Sequence, residues 1–233
     1  MKTEPIWDIA CALVRRVRPQ VVFDVGAHQG HMSRLFLDAL PGVQVHAFEP
    51  QAALRARLCE RFAGEPRLRV VGAALGDREG TSAFHEGVSS ATSSRFPRNL
   101  GGRRYYRSDF VMTGTTEVRL DSVDAYCARE GVAGIDLLKL DTQGGEHAIL
   151  RGAAGLLGAG RIAVIVSEFF AVPHYEGAPL LDEIWGLLRS HGYGLFDLHC
   201  GPHAGNGQLR YGDAIFVSPG FRSAHLDNAP AER

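Results

Sequence analysis

The chain has 233 residues, 45% hydrophobic and 22% charged, with 25 basic residues against 26 acidic ones. That length and composition suit one soluble α/β domain with a substantial core, and a formal net charge of −1 gives no general pull toward nucleic acid or an anionic membrane. The four cysteines, Cys11, Cys59, Cys127 and Cys200, are far apart with no CxxC pair, which argues against a zinc knuckle or a disulfide framework. Cys59 and Cys127 fall in helical segments and read as small buried residues. No apolar run reaches membrane-spanning length, and the first residues lack the pattern of a secretory signal. A reducing cytoplasmic location and no membrane partner are the expectation.

In chain order, residues 4–18 read as an amphipathic helix with Ile6, Ile9, Ala10, Leu13, Val14 and Val17 on one stripe. Pro19 stops it, and it is expected to cover a sheet edge or the mouth of a ligand site. Residues 21–30, VVFDVGAHQG, read as a buried strand carrying Asp24, then a glycine turn with Gly26 and Gly30. The helix behind it places Met32, Leu35, Phe36, Ala39 and Leu40 at helical spacing. A second strand, residues 43–48, ends on Glu49 and Pro50. Glu49 stands 19 positions after Gly30, the offset at which nucleotide folds set an acid on ribose hydroxyls. The glycine pattern is GxxxG, not the dinucleotide fingerprint, and it gains its meaning from Asp24 and Glu49 on either side.

A helix over residues 51–62 turns Leu54, Leu58 and Phe62 inward. Residues 68–75 read as a third strand, and residues 81–86 as a further short one. Residues 87–115 then break the pattern with Ser, Gly and Arg between aromatics. Loops this long are uncommon unless they serve as lids or binding loops. Arg95, Arg103, Arg104, Tyr105 and Tyr106 would suit a polar or anionic substrate. The RRYYR run lacks the wider positive charge that a nucleic-acid site needs.

Residues 115–120, TTEVRL, read as a strand, and Asp121 or Ser122 can cap the helix that follows. The IDLLKL run, residues 135–140, is apolar enough for a strand buried on both faces, yet it holds Lys139 and leads into Asp141. A buried ammonium needs a partner, and Asp141, Asp24 and Glu168 are the candidates. After Gly144, Gly145 and Glu146, a helix leads to a strand over residues 161–169 that carries Glu168 near its end. A loop with His174 and Tyr175, a helix, and two last strands complete the fold, and residues 220–233 read as a loose tail. The expected units are an N-terminal helix (1–19), one catalytic domain (20–218, with 87–115 as its substrate loop) and a C-terminal tail (219–233).

Ligands of open α/β sheets bind beyond the carboxyl ends of the strands. Asp24, Glu49, Asp141 and Glu168 would converge there and repel one another unless they meet hydroxyls, a cation or Lys139. The stretches VFDVGAHQG, AFEP, GAALGD, SSATSS, VRLDSVDAY and IDLLKLDTQGGEHAILRG carry a resemblance to the FkbM family of S-adenosylmethionine-dependent methyltransferases, over most of residues 20–170. The resemblance implies a Rossmann-like class I methyltransferase fold, an α/β seven-stranded, mostly parallel sheet with helices on both faces and an antiparallel last strand. It implies S-adenosyl-L-methionine as cofactor and methyl transfer to a hydroxyl of a secondary metabolite or a sugar. Asp24, Gly26, Ala27 and Gly30 then fall on the cofactor turn and Glu49 on the ribose acid, followed by Pro50. Ala74, Leu75 and Asp77 fall on the adenine region, and Asp141, Gln143 and Glu146 on the motif after the fourth strand. Gly145 departs from the family, which more often has a larger residue there.

A hydroxyl acceptor benefits from a general base. Asp141 or a histidine near the mouth (His147, His174 or His28) is expected to take the proton. Arg103, Tyr105, Glu168 and Tyr175 are expected to face the acceptor, a small molecule or glycan. No dedicated metal site is expected, although Asp141 and Glu168 are donors that Mg²⁺ accepts. A nicotinamide-dependent oxidoreductase is disfavoured by the missing GxGxxG and the missing Tyr-x-x-x-Lys pair. A non-catalytic cofactor-binding relative is disfavoured by the intact acids and glycines. The N-terminal helix and the long loop could form a homodimer contact, but nothing in the sequence requires one.

Overall fold

The computed structural model describes residues 5–87, 89–99, 101, 105 and 112–227. The chain runs α1 (Pro5–Val14), β1 (Val21–Val25), α2 (His31–Ala39), β2 (Gln44–Phe48), α3 (Ala52–Arg61), β3 (Leu68–Val71), β4 (Ala74–Gly76) and β5 (Gly80–Gly87). It continues through β6 (Met112–Ser122), α4 (Val123–Glu130), β7 (Ile135–Leu140), α5 (Glu146–Arg151), α6 (Ala154–Gly158) and β8 (Ile162–Phe170). It ends with α7 (Leu181–Ser190), β9 (Gly194–Cys200), β10 (Tyr211–Val217) and α8 (Pro219–His225).

Seven strands form one sheet in the order β3-β2-β1-β7-β8-β10-β9. β10 is antiparallel to both neighbours, and the pairs from β3 to β8 are parallel. The central strands β1 and β7 are buried on both faces, as their apolar runs require. One apolar layer, with Tyr126, Ile149, Leu157 and Leu188, lies under α4 to α7. The other, with Leu13, Phe36, Leu58 and Phe221, lies under α1, α2, α3 and α8. Crossing order reverses between β1 and β7, so the strand ends there open a crevice.

Four expectations change. Residues 68–75 are two strands: β3 pairs with β2 as far as Val71 opposite Phe48, while β4 turns away and pairs with β6. Beyond Phe48 the partner strand runs into Pro50, which has no N–H to extend a ladder. The chain after Val71 therefore finds its hydrogen bonds elsewhere, in a separate sheet ordered β4-β6-β5. The N-terminal helix packs over the face of β7, β8, β9 and β10, not over the cofactor mouth, and there Trp7 is buried edge-on to Phe36. Residues 219–225 are helical instead of loose: the Ser218 hydroxyl accepts from Phe221 N–H, and Pro219 begins the helix. Cys59 is exposed, whereas Cys127 is buried as expected. Among the described residues, no helix is long and apolar enough to cross a membrane.

Candidate active site

A cavity of about 160 Å³ opens at the carboxyl ends of β1, β2 and β7. Its floor and sides come from Gly26, Glu49, Pro50, Asp141 and Gln143, and its apolar walls from Phe48, Ala74 and Leu75. Phe84 and residues 90–95 supply the roof.

The turn after β1 sets the floor. Gly26 and Ala27 donate their N–H groups to Phe48 O at 3.1 and 3.0 Å, tying the turn to the end of β2. Gly26 has φ +79°, and a Cβ there would overlap the carbonyl oxygen of Asp141. Only glycine lets these two backbones touch. Beneath the turn, the buried Lys139 ammonium bonds Gly26 O at 2.8 Å and Val25 O at 3.2 Å. The same group pairs with Asp24 at 3.0 Å and lies 3.7 Å from Asp141. Burial works against a charged lysine here, but the carboxylates of Asp24 and Asp141 outweigh it and hold the pKa above its usual value. Lys139 is thus the internal counter-ion of the turn.

Glu49 is 3% exposed and sits at the end of β2. Its two oxygens accept from His28 N–H at 3.0 Å and Gln51 N–H at 2.8 Å. Burial pushes its pKa up to about 7, against the pull of those two donors. His28 adopts a left-handed φ of 49° and places Nε2 2.7 Å from the Ser90 hydroxyl, joining turn to roof. Asp141 lines the cavity with its side chain 45% exposed. Glu146 caps the turn behind it, accepting from Thr142 and Gly144 N–H at 2.6 and 2.9 Å.

The expected site residues separate accordingly. Gly26, Glu49, Pro50, Ala74, Leu75 and Asp141 share the cavity wall. Asp24 does not reach it: it is fully enclosed, bound by Lys139 and by the Ser33 hydroxyl at 2.6 Å. Ala27 is buried behind the turn, and Gly30 packs where a Cβ would press on Leu58 and Phe62 at 2.6 Å. Asp77 points away to Arg78 and Arg151 at 3.5 and 3.6 Å. None of these four lines the cavity.

Neither His147 nor His174 lines it. His147 sits half-buried on α5, with its pKa lowered by burial against the pull of Glu183. His174 is 4% exposed, contacts the Arg98 guanidinium through Nε2, and is driven down to about 3 by burial and by Arg98 and Arg210. A ring that stays neutral at such a low pH is a weak base at neutrality. Tyr175 is buried behind the wall and donates to Gln143 Oε1 at 2.8 Å. The Gln143 amide donates in turn to both Glu168 oxygens at 2.9 and 3.1 Å, and to Asp141 at 3.4 Å. Burial and the nearby Asp141, Glu146 and Asp213 push Glu168 well above the usual carboxylate range. Arg103 lies outside the described residues; Tyr105 is described in a turn and does not line the cavity. Among the described residues, no group of three or more His, Cys, Asp or Glu side chains is arranged to hold a metal ion.

Sequence reasoning missed Gln51, Phe84, Ser90, Ser93 and Thr142 as wall residues. The SSATSS run was a signal for the two serines, but nothing local showed that it would fold over the glycine turn.

The sheet order, the antiparallel β10 and the site at the β1–β2–β7 edge define a Rossmann-like class I methyltransferase fold. A solved structure, the magnesium protoporphyrin IX methyltransferase of Synechocystis PCC 6803, superposes with a TM-score of 0.51 at 12% identity, covering 91% of this chain and 78% of that one. Residues 24–195 match the methyltransferase FkbM domain, and the chain belongs to that family of enzymes. It is 32% identical to the 2-O-methyltransferase NoeI of Sinorhizobium fredii, over 73% of this chain and 71% of that protein. It is 37% identical to the 31-O-demethyl-FK506 methyltransferase FkbM of Streptomyces tacrolimicus, over 76% and 74%.

Proposed function

We propose that this chain uses S-adenosyl-L-methionine to methylate a hydroxyl of a small-molecule or glycan acceptor. The observation that carries the reading is the pairing of the buried Glu49 carboxylate with the side-chain-free backbone of Gly26 in one cavity. Glu49 keeps lone pairs for two vicinal ribose hydroxyls after serving His28 and Gln51. Phe48, Ala74 and Leu75 offer the apolar walls an adenine ring needs. The residues therefore fit the cofactor, and the two relatives named as O-methyltransferases favour an oxygen acceptor.

When bound, the cofactor supplies a methyl group on a positively charged sulfur. An acceptor hydroxyl would have to give up its proton as it takes that methyl group, the sulfur–carbon bond breaking with its electron pair left on sulfur. Asp141, partly exposed in the cavity and backed by Lys139, is the group to accept that proton. Lys139 holds the turn through two carbonyls and lies 3.7 Å from Asp141. Much of the rate is then alignment, set by a floor that cannot shift without breaking the Gly26–Asp141 contact.

The test is transfer of labelled methyl from S-adenosylmethionine to a panel of sugar, oligosaccharide and macrolide alcohols. Asp141→Asn is expected to lower turnover at least about 100-fold while S-adenosylhomocysteine affinity stays within a few-fold. Full turnover by Asp141→Asn would remove Asp141 as the base.

A further inference from the structure

Arg95 lines the same cavity as Glu49 and Asp141 but is anchored on the small sheet, not on the main one. Its place is built by the small sheet. Nε donates to Ser82 Oγ at 3.2 Å on β5, and Nη1 to Leu75 O at 3.4 Å on β4. The guanidinium lies against Gly76, where a Cβ would overlap Nη1, so the missing side chain at 76 makes the room it occupies. Among the described residues, Nη2 has no hydrogen-bond partner and the guanidinium has no ion pair. The nearest acid acting on it, Asp77, is engaged by Arg78 and Arg151 instead. Burial disfavours its charged form, yet a guanidinium cannot lose its proton near neutral pH. Arg95 is therefore a half-buried, permanent cation that lines the cavity, held through Nε and Nη1, with Nη2 unpartnered among the described residues.

Two serines that line the cavity with it are donors too. Ser93 Oγ accepts from Gly87 N–H at 3.2 Å, which leaves its own proton to give. Ser90 is the other, bonded to His28. The acids that line the cavity, Glu49 and Asp141, come from the main sheet, and its one lining Arg or Lys among the described residues, Arg95, is anchored on the small sheet.

We propose that Arg95 forms an anion subsite on the cavity roof, and that the methyl acceptor carries a carboxylate, phosphate or sulfate group which Arg95 engages while its hydroxyl faces Asp141. This rests on the methyl-transfer reading above. The carboxylate of the cofactor's own methionine is the other source of the same chemistry, and the experiment separates the two.

Calorimetry first measures S-adenosylhomocysteine and 5′-methylthioadenosine on the full chain, as wild type, Arg95→Met and Arg95→Lys. Inorganic phosphate is then titrated into each S-adenosylhomocysteine complex, with circular dichroism confirming the fold of the variants. The expected result is nucleoside affinities unchanged within about three-fold, and saturable phosphate binding to wild type. That binding is weakened about ten-fold or more in Arg95→Met and largely kept in Arg95→Lys, since a charged hydrogen bond is lost only in the first. Loss of S-adenosylhomocysteine but not methylthioadenosine affinity in Arg95→Met would assign Arg95 to the cofactor carboxylate and overturn the proposal. Equal loss of both would place it on the nucleoside and overturn it as well, as would phosphate binding that is absent or indifferent to residue 95. If wild type binds phosphate poorly but binds S-adenosylhomocysteine well, only this inference falls. If wild type binds no S-adenosylhomocysteine, the methyl-transfer reading falls with it.

Discussion

The two walls of the cavity are built on different principles. The main-sheet wall is made of strand ends: Gly26, Glu49 and Asp141 follow β1, β2 and β7 directly. Its counter-charge lies inside the protein, since Lys139 reaches Asp24, Asp141 and two carbonyls at once. The roof is made of the small sheet and residues 89–99, tied down by scattered contacts: Ser90 to His28, Ser94 Oγ to Gln143 O at 2.6 Å, and Arg98 over the Tyr175 ring at 4.5 Å. The first wall depends on a few buried contacts with no slack. The second depends on many small ones, and it carries a cation that the protein leaves unbalanced among the described residues. Rigid placement of the common ligand and adaptable placement of the particular one would follow from that difference.

If the main-sheet wall has no slack, small changes there should cost most. Gly26→Ala puts a methyl group into the Asp141 carbonyl at a left-handed φ. The expected outcome is complete loss of S-adenosylhomocysteine binding with a lower melting temperature, read by calorimetry and a thermal scan. Lys139→Met leaves Asp24 a fully enclosed carboxylate without a counter-charge. Urea denaturation should show a loss of about 3–5 kcal/mol, much of it restored by adding Asp24→Asn. A Lys139→Met chain as stable as wild type would contradict the internal counter-ion. Smaller still is the effect of pH on the free site. Glu49 titrates at about 7 and accepts hydroxyls best when ionised. Its raised pKa means the carboxylate form is present above about 7 and lost below. Affinity for S-adenosylhomocysteine should therefore plateau at high pH and fall toward tenfold per unit below about 7, with protons released on binding at pH 6.5. The smallest change is His147→Asn, away from both walls, which should leave turnover within about three-fold; a larger loss would return His147 to the mechanism.

The sequence made the first wall readable because its signals are local. An apolar run ending in Asp or Glu, and a glycine where the backbone must turn sharply, can be seen without knowing what packs against them. It offered Asp24 as one of three partners for a buried Lys139, which arrives from a strand 115 positions later in the chain, but did not show that this pairing seals Asp24 away from the cavity. The second wall had residue-type signals in Arg95 and the SSATSS run, but no local pattern that gave its path. Residues 68–75 look like one strand, and only the end of the partner at Phe48 divides them between two sheets. Residues 89–95 have neither helical nor strand periodicity, so their closure over the turn rests on long-range contacts such as His28 to Ser90. His174 looked like a loop base, but burial beside Arg98 turns it into a packing group. The final helix was missed despite a readable cap, Ser218 followed by Pro219. Cys59 was placed inside although the stripe of α3 runs through Leu54 and Leu58.

The central claim is that Glu49 holds the ribose of S-adenosylmethionine in this cavity. The most direct measurement is calorimetric titration of S-adenosylhomocysteine into wild type and Glu49→Gln at pH 8, with the fold of both checked by circular dichroism. The change keeps the side-chain volume and removes the charge-assisted acceptor. Micromolar binding by wild type, weakened about 10- to 100-fold in a folded Glu49→Gln, is the result expected here. Equal affinity in both, or no binding by a folded wild type, would contradict it.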